Sequence, residues 1–182
     1  DPEFLFFLGN TDPKKNTPGT LKAYAEYVRR SEKPLPLLIA DLGEQPAEAI
    51  LREIGEPRLR GMLRLAGYIP NSDLPAIYNR ASAFLYTSLR ESFGIPQLEA
   101  MACGTPVVTS ATSAIPEVAG QGAILVDPTD PTAIADALLR LETDAEFRAG
   151  QVAYGLERVK QFSWEKTARH LLALYESLGK TN

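Results

Sequence analysis

The chain has 182 residues, 45% of them hydrophobic and 23% charged, with a formal net charge of −4; these are the proportions of an ordinary globular protein with room for one sizeable core. The acidic balance offers no basic face for nucleic acid, and a single cysteine, Cys103, excludes an internal disulfide and a cysteine-based zinc cluster. One histidine, His170, leaves no His-pair metal site and disfavours a Ser-His-Asp triad.

The opening residues, DPEF, read as a cloning-linker scar. Strand-like sequence follows at once, so the chain is expected to be a fragment of a longer one. No apolar run reaches membrane-spanning length and no signal peptide opens the chain, which makes a reducing, cytoplasmic setting the expectation. The first predicted strand covers 4–9 (FLFFLG), apolar on both faces as buried parallel strands are. After it comes GNTDPKKNT, which carries Lys14 and Lys15. It lacks the glycine of a Walker A loop, and no G-x-G-x-x-G follows the strand. A lysine there can still serve as a point charge for phosphate, although two lysines in a turn are more often merely solvated.

Further along, helices are predicted over 20–31, 46–54, 72–81 and 96–103, and strands over 35–41, 62–69, 83–88, 106–110 and 122–127. Asn71 or Ser72 is the expected cap of the third helix. The fourth has Pro96 near its first position and Gly104 just past its end, the usual asymmetry. Cys103 on that helix reads as a small buried apolar residue. Beyond Pro131 the pattern is wholly helical. There Trp164 is expected to dock the last helix, His170 to be structural, and the apolar residues of LLALYESL to join the core. Short strands alternating with helices predict an α/β fold, a doubly wound, Rossmann-like parallel sheet with C-terminal helices. With no repeat and no linker, one domain over 1–182 is expected.

In such sheets ligands bind where strands end and loops lead into helices, which selects 9–16, 67–72, 88–99 and 110–117. In the third of these loops stands ESFGIPQLEAMACGTPVVTS, with Glu91 and Glu99 separated by seven residues. Phe93, Gly94 and Ile95 lie at a helix entrance, where backbone N–H groups lack intrahelical partners and form an anion site. Gly94 removes a side chain that would block close approach. Glu99, one turn into the helix, can face the same mouth. Carboxylates accept hydrogen bonds from vicinal diols, so an anion site between two of them suits a phosphate flanked by polyhydroxyl groups. A nucleotide sugar has that form. The plainer reading of Glu99 is an acid favoured by the helix dipole, and of Glu91 a solvated loop residue.

The same run, with PEVAG after it, closely resembles retaining glycosyltransferases of the fourth sequence family, in the C-terminal, donor-binding half of their GT-B fold. Glu91 and Glu99 match that family's Glu-seven-residues-Glu motif, Lys15 in DPKKN its phosphate-facing lysine, and GYIPNSDLPAIYNRA the segment whose backbone meets the base. GAILVDPTDPTAIADAL and FSWEKTARHLLALYESL also fit, so the resemblance covers nearly the whole chain. It implies that Glu99 binds the ribose and that Glu91 and the backbone of Phe93, Gly94 and Ile95 hold the donor sugar and its phosphate. Lys15 would meet the diphosphate, and Ile69 would lie by the base. Relatives often carry an arginine where this chain has Asn10, a second phosphate-binding position. On this resemblance Glu91 and Lys15 are the catalytic candidates.

The resemblance further implies a metal-independent hexosyltransferase, of mannosyl or glucosyl type, serving polysaccharide biosynthesis. It would need no cofactor besides a donor such as GDP-mannose or UDP-glucose. Its acceptor would be held by an N-terminal domain that this chain lacks, and through which the full-length protein could touch a membrane. The rival readings are another GT-B nucleotide-sugar enzyme, epimerase-like, and a non-catalytic nucleotide-sugar-binding module.

Overall fold

Leu5 and Phe7 point to one side of the first strand and Phe6 to the other, and all three are buried. A strand like that has to lie between two helical layers. In the computed structural model, which describes residues 3–179, this strand, β1 (Phe4–Leu8), pairs in parallel with β2 (Leu37–Ala40) on one side and β4 (Ala81–Tyr86) on the other. With β3 (Leu63–Gly67), β5 (Val107–Ser110) and β6 (Ile124–Val126) they form a six-stranded parallel sheet in the order β3-β2-β1-β4-β5-β6. Strand order reverses between β1 and β4. That switch point is where loops diverge to opposite faces and leave a crevice.

Helices α1 (Thr17–Arg30), α2 (Glu44–Glu53) and α6 (Pro131–Thr143) cover the face of Leu5 and Phe7, through side chains such as Leu21, Leu51 and Ile134. Helices α3 (Leu74–Arg80), α4 (Ile95–Ala102) and α5 (Ile115–Ala119) cover the Phe6 face with Tyr78, Met101 and Ile115. Phe6, Phe84, Tyr78 and Tyr86 make one aromatic cluster there, with ring centroids 5.2–5.7 Å apart. α7 (Ala145–Val159) packs behind α4, and α8 (Trp164–Gly179) follows it. Of the opening DPEF, Asp1 and Pro2 lie outside the described residues.

Several expectations are corrected. α3 starts at Leu74, so its cap is Asp73 rather than Asn71 or Ser72; the Ser72 hydroxyl instead bonds the Asp73 carboxylate at 3.1 Å. Pro75 in the first turn sets that start, since it needs no N–H partner. The strand expected over 62–69 ends at Gly67, which leaves Ile69 in the loop beyond it. α5 was not expected, because five residues are too few to show a helical period. Trp164 does not dock the last helix into the core: it is 80% exposed, and α8 contributes no buried residue. The leucines and tyrosine of LLALYESL are therefore not core, and His170 is exposed with them. Apolar periodicity reports a face suited to burial but not where its partner lies.

Candidate functional site

The turn after β1 is fixed by its own polar side chains. The Asn10 side chain accepts from the Asp12 N–H (2.9 Å), and Asp12 accepts from the Lys14 N–H (3.0 Å), opening a single 3-10 turn, Pro13–Lys15. Asn16 takes the left-handed conformation (φ 56°) that short polar side chains tolerate. Its amide donates to the carbonyls of Thr87 (3.1 Å) and Pro128 (2.8 Å), tying the turn to the ends of β4 and β6. This geometry sends the two lysines apart. Lys14 points to solvent beside Asp12 at 3.2 Å, with 54% of its side chain exposed. Lys15 is only 20% exposed, and its Nζ lies 2.7 Å from Glu91 Oε1 and 5.3 Å from the centre of the Tyr86 ring.

Glu91 reaches that pair from the loop after β4. The Leu89 N–H donates to the Lys14 carbonyl (2.7 Å), the Glu91 N–H to the Ser113 hydroxyl (3.1 Å), and the Thr112 hydroxyl to the Leu89 carbonyl (3.2 Å). The loops after β1, β4 and β5 are thus bound into one surface over the switch point. Burial opposes ionisation of Glu91, but hydrogen bonds from Lys15, Ser88 and Tyr86, together with the Lys15 charge, hold its carboxyl below the ordinary value. Tyr86 answers in the opposite sense. Burial first, then the charge of Glu91, a hydrogen bond to it and the charge of Glu99 push the Tyr86 hydroxyl well up. Both carboxylates therefore act on one ring.

The start of α4 closes the arrangement. Gly94 is its cap, at φ 91°, with no side-chain capping bond. A Cβ there would lie 2.8 Å from Gln97 Nε2 and 3.2 Å from Tyr86 Cε1, so only glycine fits without displacement. The fully buried Gln97 donates to the Phe93 carbonyl at 3.4 Å, and its Oε1 has no hydrogen-bond partner among the described residues. Glu99 is exposed one turn on, where its Oε2 accepts from the Tyr78 hydroxyl at 3.4 Å. Phe93 and Ile95 are 43% and 45% exposed and, with Leu98, Phe162 and Trp164, line an apolar groove of about 500 Å³.

Lys15, Glu91 and the α4 entrance are brought together, with Glu99 beside them. Asn10 stands just past the end of β1 with its side-chain oxygen committed to its own turn, and Ile69 packs against the hydrophobic core on the Phe6 face from the loop after β3. Sequence reasoning missed Asn16, Ser113, Tyr78 and Tyr86. The tyrosines carried a signal: each has its polar tip at the edge of a predicted apolar element, and a buried hydroxyl has to find a partner. Among the described residues no group of three His, Cys, Asp or Glu side chains could hold a metal ion, and no helix is long and apolar enough to cross a membrane.

Residues 1–158 match the family described as Glycosyl transferases group 1. The O-antigen chain mannosyltransferase B of Escherichia coli is 34% identical over 175 residues, covering 96% of this chain and 46% of the relative. The D-inositol 3-phosphate glycosyltransferase of Frankia alni is 33% identical over 185 residues, covering 96% and 45%. Sucrose-phosphate synthase from Thermosynechococcus elongatus superposes with a TM-score of 0.81 at 27% identity, over 100% of this chain and 46% of that one. Anabaena HepE in complex with UDP-glucose gives 0.82 at 19% identity, over 97% and 49%, a likeness of fold alone. The chain spans about half the length of the curated relatives it matches.

Proposed function

The chain belongs to the group 1 glycosyl transferases, its Rossmann-like sheet being one half of their GT-B fold, and from that premise we propose that it is the C-terminal, donor-binding domain of a retaining hexosyltransferase. The observation that carries the reading is the Lys15–Glu91 pair at 2.7 Å, set over the sheet's switch point and beside the start of α4, whose glycine cap supplies no side-chain bond. The diphosphate of a nucleotide sugar lies against the α4 N–H groups and draws on Lys15. Glu91 is then freed to accept from the donor sugar, Glu99 accepts from the ribose, and Ile69 borders the base. Asn10 occupies the place of a second phosphate ligand but presents an N–H₂ rather than a charge. As the sugar departs, negative charge gathers on the diphosphate, where Lys15 and the helix terminus stabilise it without a divalent ion. The acceptor belongs to a domain outside this chain. A mannosyl or glucosyl donor fits this site, and the relatives named mannosyltransferases, 34% and 32% identical, support the first.

The test is calorimetric titration with GDP-mannose, UDP-glucose and their free diphosphates, with and without EDTA. Binding of at least one nucleotide sugar, unchanged by chelation, is the expected result. Loss of binding in EDTA with recovery on adding magnesium would overturn the metal-independent reading; no binding of any member would overturn donor binding itself.

A further inference from the structure

Tyr78 has no part in the reading above, yet it is held with unusual completeness for a residue on a seven-residue helix. It is 1% exposed. Its ring stands edge-on to Phe84 at 5.2 Å and to Phe6 at 5.5 Å, and its carbonyl accepts from the buried Thr105 hydroxyl at 2.5 Å, just past the end of α4. Main chain and ring are both immobilised, so the hydroxyl oxygen has one direction in which to act. It points at Glu99 Oε2, 3.4 Å away. Glu99 itself is exposed on α4. A free glutamate there would sample many rotamers, and binding a diol would cost the entropy of stopping it.

We propose that Tyr78 is a positioning residue for Glu99: its fixed hydroxyl holds the carboxylate in the orientation that receives the two ribose hydroxyls, leaving the second carboxylate oxygen and the remaining lone pairs for the ligand. This deepens the donor-binding reading and rests on it. The geometry also defines what the effect must look like. Removing the hydroxyl leaves the ring, its aromatic contacts and the Thr105 bond intact, and it touches no phosphate or base. Only ligands that use Glu99 should notice.

The experiment titrates wild type, Tyr78→Phe, Glu99→Ala and the double variant with GDP and UDP and with their 2′,3′-dideoxy forms, using melting temperature as the check on folding. Wild type should prefer the ribo form. Tyr78→Phe should weaken the ribo form by roughly three- to tenfold, the effect of one modest hydrogen bond, and the dideoxy form by less than about twofold. In the Glu99→Ala background the same change should do nothing further. Because partial unfolding lowers both affinities together, the ribo-to-dideoxy ratio survives a loss of stability. Equal weakening of the two forms, or a ratio unmoved by Tyr78→Phe while Glu99→Ala shifts it, would overturn the role of Tyr78 alone. Glu99→Ala without effect on the ratio, or no binding by wild type, would overturn the ribose-binding reading and the proposal with it.

Discussion

On the proposed reading, Lys15 and Glu91 make a pair that a diphosphate has to reorganise. A phosphate arriving at the α4 entrance meets a lysine already neutralised at 2.7 Å by a carboxylate, so Glu91 both stores Lys15 in place and competes for it. Glu91→Gln keeps the shape and removes the competing charge. It should raise affinity for a free nucleoside diphosphate by roughly three- to tenfold while lowering affinity for the sugar conjugate, and Lys15→Ala should weaken both by roughly ten- to hundredfold, the range of a charged hydrogen bond. Parallel losses for both ligands in both variants, measured by calorimetry, would remove the division of labour. The same pair has a pH signature. The folded-state value of Glu91 lies below the ordinary 4.5, so in acid the unfolded chain binds its proton first. The pair's contribution to stability is therefore complete above about pH 4.5 and fades as pH falls through the lower folded value. Urea unfolding at a series of pH values should show wild type losing more stability than Glu91→Gln below that point. A parallel decline in the two proteins would mean that the pair adds nothing to folding.

Among the elements, the short ones carry the site and were the hardest to read. Several strands of the sheet were legible because both faces are apolar, and the α4 boundaries because Pro96 and Gly104 mark them. α5 was not legible, although its approach supplies Thr112 and Ser113, the hydroxyls that fix the Glu91 loop. Besides its buried Ile115, Val118 and Ala119, a distant side chain ties it to the fold. Arg158 on α7 donates to the carbonyls of Val118 (2.9 Å) and Glu117 (2.5 Å), bonds the Gln161 side chain, and lies 4.9 Å over the Phe162 ring. One planar guanidinium thus satisfies carbonyls in and at the end of α5 while covering the ring that meets Phe93 edge-on at 5.8 Å. A lysine cannot fork in this way. Arg158→Lys should therefore cost about 1–3 kcal/mol of stability in urea, the cost of leaving such acceptors unpaired, and should speed hydrogen exchange in α5 more than in α2. Equal exchange in the two helices would mean that Arg158 packs without tethering.

At the scale of the whole molecule, the doubly wound parallel sheet and the resemblance of ESFGIPQLEAMACGTPVVTS were open to a reader of the sequence, whereas the strand order and the fate of α8 were not. Its leucines repeat at helical spacing, yet Leu172 and Leu178 stand 59% and 63% exposed and Trp164 80%. Amphipathic spacing states that a face is suited to burial, and within these residues the sheet is already covered on both sides. Tyr78 and Tyr86 were hidden for the complementary reason: they read as core, and are core, but their hydroxyls work at its boundary with the site. Function divides in the same way. On the proposed reading the donor-binding groups lie on this sheet, while the chain covers about half of its relatives' length. Transfer requires donor and acceptor held together in one water-excluding site, an arrangement worth about 7–11 kcal/mol of the barrier in well-oriented reactions. A donor domain alone forgoes that term. The purified chain should accordingly bind a nucleoside diphosphate and its mannosyl or glucosyl conjugate yet transfer no sugar, with release of diphosphate from the conjugate no faster than in a protein-free control. Supplying the full-length protein, with both halves, should restore transfer, and Lys15→Ala in that protein should abolish most of it. Turnover by the isolated chain above the control would show that acceptor and catalytic groups both reside on this one sheet.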